Sequence, residues 1–153
     1  MGETHVDALT FLKQQHDEVE ALFAQFEASS EGAEKARADL AERITADLDV
    51  HAQIEEEIFY PAVREQGGEL AKLVEEGEDE HAEAKQLIGA IKRITEDETL
   101  KERVLELAGA IRHHVAEEEN EMFPKYREQI DGATLEDLGE QLSLRAKELE
   151  QQG

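Results

Sequence analysis

Two segments of this chain repeat the same spacing of histidine, glutamate and proline. HAQIEEEIFYP at 51–61 and HVAEEENEMFP at 114–124 both read His-x3-Glu-x5-Pro. Residues four apart lie on one face of an α-helix, one turn above the other. An imidazole and a carboxylate stacked in this way can both bind a metal ion. Two such pairs on two helices indicate a site built symmetrically around a pair of metal ions.

The duplication extends upstream of each pair. His16 lies in the segment QQHDEVEALF, and His81 lies in the similar segment DEHAEAKQLI. Each of these histidines precedes its His-x3-Glu pair by a similar interval, from 16 to 51 and from 81 to 114. The chain is therefore predicted to form two helical hairpins in tandem.

Composition narrows the class of protein. A chain of 153 residues is long enough to bury the core of one domain. Its 39% hydrophobic and 36% charged residues, with only 2 prolines, suit a helical protein. The absence of cysteine excludes disulfides and thiolate metal sites. The net charge of −23 argues against nucleic acid and anionic membranes as partners, and it attracts cations.

The sequence also bears on the location of the protein. MGETHVDALTFLKQQ at 1–15 lacks the basic region followed by an apolar run that is typical of a signal peptide. No apolar run approaches the ~20 residues that a membrane-spanning helix needs. A cytoplasmic location is therefore expected.

Apolar residues recur every three or four positions along most of the chain, which predicts five helices. The predicted ranges are about 6–28, 34–61, 69–94, 99–126 and a shorter 134–150. Short turns join antiparallel neighbours, so we expect an all-α fold. This fold is an up-down-up-down four-helix bundle over about 5–128 with an additional short C-terminal helix, in a single domain of residues 1–153. Pro61 is expected to kink or end the second helix, and the leucines of the last helix to pack on the bundle or on a partner.

The repeated histidines and glutamates lie in the middle of the predicted helices. Antiparallel packing puts His51 and His81 at similar heights, so ligands from four helices can converge in the core. Burying these polar groups without partners would be costly, and a pair of metal ions would satisfy them together. Mixed imidazole and carboxylate ligation suits iron, manganese or zinc. The candidate metal ligands are His16, His51, Glu55, His81, His114 and Glu118.

The pattern H…HxxxE…H…HxxxE, with IFYP and MFP after the glutamates, resembles the hemerythrin-like, or HHE cation-binding, domains of bacteria. The resemblance covers nearly all of the first 126 residues. It implies a non-haem di-iron centre inside the bundle, with two iron ions joined by an oxo or hydroxo bridge. It also implies a role for each ligand: one iron takes His16 and His51, the other takes His81 and His114, and both share Glu55 and Glu118.

The sequence departs from the oxygen carriers of this family in two places. The carriers have an additional histidine four residues before the third-helix histidine, where this chain has Gly77. The second bridging residue here is Glu118 at four-residue spacing, whereas the carriers have aspartate at five-residue spacing. Gly77 is therefore expected to leave space beside one iron. An open coordination position favours reaction with a small ligand over protected, reversible oxygen binding.

Three further acidic residues have alternative interpretations. Glu121 lies seven residues after His114 and is expected to face the same way, as an extra ligand, a proton relay or an exposed acid. Glu78 forms a single Glu-x2-His motif with His81. Ferritin-like di-iron proteins carry two such motifs, which makes that family a weak alternative. Glu20 is expected to form a surface salt bridge.

Two tyrosines and two further histidines also have predicted positions. Tyr60 and Tyr126 flank the prolines and are expected to pack in the core, although either hydroxyl could donate a hydrogen bond or approach the metal. His113 is out of register with Glu118 and is not predicted to be a ligand. His5 is expected to be solvated.

The resemblance to these domains implies redox chemistry with a small oxidant, with hydrogen peroxide decomposition as the preferred form. Peroxide would reach the irons beside Gly77, with Glu121 or a tyrosine as proton donor. An oxidoreductase is thus favoured over the alternative, a non-catalytic protein that binds or senses oxygen, nitric oxide or iron. A third interpretation is a structural bundle whose acidic surface merely attracts cations. The sequence leaves the oligomeric state open.

Overall fold

The computed structural model describes residues 6–152, which form helices joined by short turns. The α-helices are α1 (Ala8–Glu27), α2 (Glu34–Ile54), α3 (Tyr60–Arg64), α4 (Gly68–Lys92), α5 (Asp97–Glu117), α6 (Phe123–Gln129) and α7 (Gly132–Gln152). Two π-helical turns, Glu55–Phe59 and Glu118–Met122, connect α2 to α3 and α5 to α6. None of these helices combines the length and apolarity needed to cross a membrane. His5 lies outside the described residues.

Four long helical segments pack side by side as a bundle. The second segment runs from α2 through the first π turn into α3, and the fourth runs from α5 through the second π turn into α6. Helix α1 packs against α2 and α5, and α4 packs against the same two helices. The predicted all-α four-helix bundle with one additional helix is confirmed for residues 6–152.

Local chemistry explains where the helices begin and turn. The side chain of Asp7 accepts a hydrogen bond from the backbone N–H of Thr10 at 2.9 Å, which begins α1. Gly67 adopts φ 69°, a left-handed conformation that favours glycine, and the chain reverses there between α3 and α4. Buried Arg37 donates hydrogen bonds of 2.9 and 2.8 Å to Asp97, which ties the start of α2 to the start of α5.

Pro61 does not end the second helical segment, which was one of the two predicted outcomes. The segment continues to Arg64, because the first π turn absorbs the change in hydrogen bonding before the proline. The backbone N–H of Tyr60 bonds to the carbonyl of Glu55, five residues back. Pro61 then falls in the first turn of α3, where a missing N–H costs little. Pro124 occupies the same place in the first turn of α6.

The C-terminal helix α7 is as long as the bundle helices, not short as predicted. It has 21 residues and packs on α1, α2 and the first π turn. Leu135, Leu138 and Leu142 are buried in this contact. The leucine side of α7 therefore covers its own bundle, which decides between the two predicted alternatives.

Two apolar clusters fill the bundle, one on each side of a polar layer. Along α1, Leu12 belongs to the first cluster, His16 follows it, and Val19 belongs to the second. The order is reversed along the antiparallel second segment, where His51 separates Leu48 of the second cluster from Ile54 of the first. Each motif histidine is thus held between well-packed apolar residues, which restricts its movement.

Candidate metal centre

The structure brings all six predicted ligands together in this polar layer. They are buried, and the two glutamates are almost wholly enclosed. Their nitrogen and oxygen atoms form two groups, in each of which the atoms lie within 4.8 Å of one another. Both groups contain Glu55 and Glu118; one adds His16 and His51, and the other adds His81 and His114.

Glu118 faces both groups of imidazoles through different oxygens. Its Oε1 lies 3.1 Å from Nε2 of His16, and its Oε2 lies 3.2 Å from Nε2 of His114. A carboxylate in this position can contribute one oxygen to each of two ions. Glu55 is equally central, since its Oε1 lies 3.4 Å from Nε2 of His51 and 3.0 Å from Nε2 of His81.

Hydrogen bonds on the outer side of each ring determine which nitrogen is available. The Nδ1 atoms of His16, His51, His81 and His114 lie 2.6–2.8 Å from side-chain oxygens. Because these oxygens accept, each Nδ1 carries a hydrogen, and Nε2, which faces the centre, is the nitrogen that can bind a metal. The accepting residues are, in the same order, Glu119, Gln15, Glu56 and Glu80.

Unpartnered buried atoms test whether the site fits a metal. Four buried side-chain atoms lack a hydrogen-bond partner at a suitable distance and angle among the described residues: Nε2 of His16, Nε2 of His51, Oε2 of Glu55 and Oε1 of Glu118. Orphaned buried polar atoms are unusual and costly. All four belong to the predicted ligand set and direct lone pairs to the same region. The donor set therefore fits metal ions bound between the helices.

The electrostatics of the centre favour ionised carboxylates. Burial by itself would raise the pKa of Glu55, but the charge of His51 and hydrogen bonds from the surrounding imidazoles hold its pKa well below the usual range. Burial would lower the pKa of His114, but the charge and hydrogen bond of Glu118 raise it. The carboxylates therefore attract positive charge to the imidazole nitrogens, and protons compete with a metal ion for the same lone pairs.

Tyr60 fills the space that Gly77 was expected to leave open, so that prediction is wrong. A Cβ atom built on Gly77 would lie 2.6 Å from the Tyr60 hydroxyl oxygen. This hydroxyl donates a hydrogen bond to Oε2 of Glu118 at 2.6 Å, and it lies 3.3 and 3.4 Å from Nε2 of His81 and His114. Glycine at position 77 therefore makes room for a phenol from another helix, and a cavity of about 10 Å³ remains beside it, lined also by His114 and Glu118.

Glu121 points away from the centre, so the prediction that it faces inward is also wrong. Its side chain is exposed and belongs to neither ligand group. The prediction assumed 3.6 residues per turn, but residues 118–122 form a π turn with a wider repeat. Met122 is therefore the next buried residue after Glu118.

Other candidates lie outside the centre. Glu78 pairs with Arg64 at 2.6 Å, and Glu20 forms the predicted surface salt bridge, with Arg112 at 2.8 Å. His113 is 70% exposed and contacts two glutamates on the surface, not the six buried ligands. Tyr126 is buried in the apolar core, where its ring lies 5.7 Å from that of Phe59.

Sequence reasoning missed the residues that orient the histidines. The sequence did hold a sign of their role, because each of these residues lies next to a predicted ligand. Glu56 and Glu119 directly follow the two glutamates, and Gln15 and Glu80 directly precede His16 and His81 in the sequence. Ordinary helical periodicity assigns such neighbours to the surface. Only the packing of one helix against the next directs them at a ring from another helix.

A cavity of about 70 Å³ adjoins the imidazoles. The four ligand histidines, His16, His51, His81 and His114, line this cavity, but neither shared glutamate does. This volume holds a molecule of a few atoms, since one water needs roughly 10–15 Å³ on the same measure. The other walls include Val19, Leu48, Ala84, Ile88, Ile111 and Val115. A small ligand could therefore approach from the histidine side of the centre.

A helical bundle with two groups of imidazole ligands around shared carboxylates defines a metal-binding bundle protein. Comparison with known families agrees: the profile of the hemerythrin HHE cation binding domain matches residues 7–126. The chain therefore belongs to the hemerythrin HHE cation-binding domain family.

Two relatives extend this comparison. The crystal structure of a hemerythrin HHE cation binding domain-containing protein from Mycobacterium kansasii superposes with a TM-score of 0.80. It is 26% identical and covers 94% of this chain and 87% of its own. A Nostoc protein named DNA nickase is 32% identical over 126 residues, which are 82% of this chain but 35% of that protein. The chain thus spans about a third of the length of this second relative.

Proposed function

We propose that the protein holds two iron ions and decomposes hydrogen peroxide to water and oxygen. The observation that carries the proposal is the pair of ligand groups that share Glu55 and Glu118. Each group offers two imidazoles and two carboxylates, a donor set that iron accepts, as do manganese and zinc. Such sets occur in the cores of helical bundles. We also propose a cytoplasmic location for the protein.

The side chains around the centre support chemistry with a small oxidant. Two bound iron ions would supply the paired electron steps by which one peroxide is reduced and a second is oxidised. The Tyr60 hydroxyl would hold a proton beside them, because burial and the charges of Glu55 and Glu118 raise the pKa of this phenol well above its usual value. The cavity beside the histidines would admit peroxide while excluding larger molecules.

A second candidate is reversible binding of oxygen or nitric oxide. The apolar part of the cavity wall favours it, because side chains such as Ile88 and Ile111 suit a neutral diatomic ligand. Under this alternative the ligand changes the absorption spectrum but is released unchanged.

DNA nicking is not favoured, although one relative bears that name. The name belongs to a protein of which this chain matches about a third. A chain with a net charge of −23 repels the phosphate backbone. The absence of nucleic-acid binding therefore stays a prediction.

Metal analysis and gas evolution distinguish the candidates. The purified protein is analysed for iron and then mixed with hydrogen peroxide in an oxygen-electrode cell. We expect about two irons per chain and sustained oxygen release, with near-ultraviolet absorption from the ferric centre. Glu55→Gln should lower iron content and turnover. The matched surface variant Glu83→Gln, which removes the same charge from exposed α4, should lower neither.

Each other result has a defined meaning. Two irons with a reversible spectral response to oxygen or nitric oxide, and no oxygen release from peroxide, would replace the enzyme by the carrier. Iron loss in Glu83→Gln as large as in Glu55→Gln would show that general acidity attracts the metal. No metal after reconstitution would remove the dinuclear centre altogether.

A further inference from the structure

The two halves of the centre match in their outer hydrogen bonds as well as in their ligands. Glu56 and Glu119 each directly follow a shared glutamate. Oε2 of Glu56 lies 2.8 Å from Nδ1 of His81, and Oε2 of Glu119 lies 2.7 Å from Nδ1 of His16. Each half of the repeat therefore supplies a carboxylate to the first histidine of the other half.

The two halves differ in the residue that accepts a hydrogen bond from their second histidine. Oε1 of Gln15 lies 2.6 Å from Nδ1 of His51, and Oε1 of Glu80 lies 2.7 Å from Nδ1 of His114. Gln15 and Glu80 occupy equivalent places, each just before the first histidine of its half. The hydrogen bonds are alike, but one histidine is backed by a neutral amide and the other by a carboxylate.

Tyr60 is a second difference between the two halves, and it lies on the same side of the centre as Glu80. Its hydroxyl lies 3.3 and 3.4 Å from the Nε2 atoms of His81 and His114. The equivalent residue of the second half is Phe123, whose ring stacks on His16 at 6.0 Å between centroids and carries no oxygen. Both additional oxygen-bearing groups therefore lie on the side of His81 and His114.

Neighbouring basic side chains do not cancel this difference. Lys85 lies 2.7 Å from Glu56, but its side chain is 53% exposed, so solvent screens it. His113 lies 3.5 Å from the outer oxygen of Glu80 and is more exposed still. The inner oxygen of Glu80 keeps its hydrogen bond to His114.

We propose that the two metal positions are unequal, and that Glu80 and Gln15 determine the difference. A carboxylate behind an imidazole makes it a stronger ligand than an amide does, and such outer partners change metal affinity by about 10–100-fold. The position formed by His81 and His114 therefore fills first and holds a divalent cation more tightly than the position formed by His16 and His51. This inference rests on the dinuclear centre proposed above.

Zinc(II) tests the order of filling without any redox step. The metal-free protein is titrated with zinc, and the imidazole nitrogens are followed by nitrogen-15 NMR. The first equivalent should shift Nε2 of His81 and His114, and the second should shift those of His16 and His51. Glu80→Gln should reduce the affinity ratio of the two positions by at least about 10-fold.

The mirror variant separates positioning from simple damage. Gln15→Glu should increase zinc affinity at the position of His16 and His51, a gain that a merely structural role would not produce. Glu83→Gln on α4 should leave the order and the ratio unchanged.

Three results would overturn the inference. The first is equal filling in the natural protein, and the second is an affinity ratio that changes less than about 10-fold in Glu80→Gln. The third is no gain of affinity in Gln15→Glu. In all three cases the dinuclear centre itself would remain, whereas no zinc at either position would remove both the centre and the inference.

Discussion

Tyr60 and Gly77 make one contact that neither residue's place in the sequence predicts. The phenol comes from α3 and the glycine from α4, and the hydroxyl fills the volume that a side chain at position 77 would occupy. Because the hydroxyl also bonds to Glu118, the contact holds a proton at the edge of the centre. Each of these two residues can be tested alone.

Tyr60→Phe should retain the fold and about two irons but lower peroxide turnover on the order of 100-fold, the usual effect of losing a positioned proton donor. Oxygen release and iron content are measured on the same sample. Tyr126→Phe is the control, since that ring lies in the apolar core and is expected to leave turnover unchanged. Equal turnover in the Tyr60 variant would remove the proton role.

Gly77→Ala should disturb the centre, because the new methyl group would meet the Tyr60 hydroxyl at 2.6 Å. The buried ring cannot swing out, so we expect its hydrogen bond to Glu118 to lengthen and metal affinity to fall. Gly89→Ala on the same helix meets nothing within 4 Å and serves as the control. Zinc affinities of the two variants are compared by calorimetry, and equal values would contradict this account.

At the scale of helices, the two π turns explain how a single segment can supply a ligand and then change its inward face. Glu55 and Glu118 are the first residues of these turns. Phe59 and Met122, four residues after these glutamates, are buried in the core, whereas the wider repeat turns Ile58 and Glu121, three residues after them, outward. π turns often occur at functional sites for this reason.

The contact between α7 and the start of α1 depends on a glycine with no room for a side chain. A Cβ atom on Gly139 would collide with the backbone of Val6 and Asp7. Gly139→Ala should therefore destabilise the protein by about 1–3 kcal/mol, as overpacking does.

Gly109→Ala is the matched helical control, because a Cβ atom there meets nothing within 4 Å. It should stabilise the protein by up to about 1 kcal/mol, owing to the better helix propensity of alanine. Urea denaturation gives both free energies of unfolding, and a Gly139 variant as stable as the Gly109 variant would contradict the packing of α7 on α1.

At the scale of the whole molecule, the polar layer divides the core and leaves unpartnered buried atoms. Metal ions would satisfy these atoms in the folded state only. At a free concentration 100 times the dissociation constant, one bound ion stabilises a protein by about 2.7 kcal/mol.

Removal of metal by a chelator should therefore lower the melting temperature by several degrees, as measured by scanning calorimetry with and without zinc. Glu55→Gln, which removes a shared ligand oxygen, should respond much less to zinc, whereas Glu83→Gln should respond fully. Identical melting temperatures of the natural protein in both conditions would argue against a buried metal.

Much of the fold and the position of the candidate site followed from periodicity within single helices. Residues four apart share a face whatever surrounds them, so His51 with Glu55, and His114 with Glu118, could be paired from the sequence. The duplicated order of these pairs then predicted antiparallel hairpins whose ligands meet at one height.

What only the tertiary structure decided depends on contacts between helices. The π turns turned Glu121 outward, and the place beside Gly77 went to Tyr60. Packing also aimed Glu80 and Gln15 at histidines of neighbouring helices and laid α7 on α1. Helical spacing determines which residues share a face, but it carries no information about what the facing helix presents.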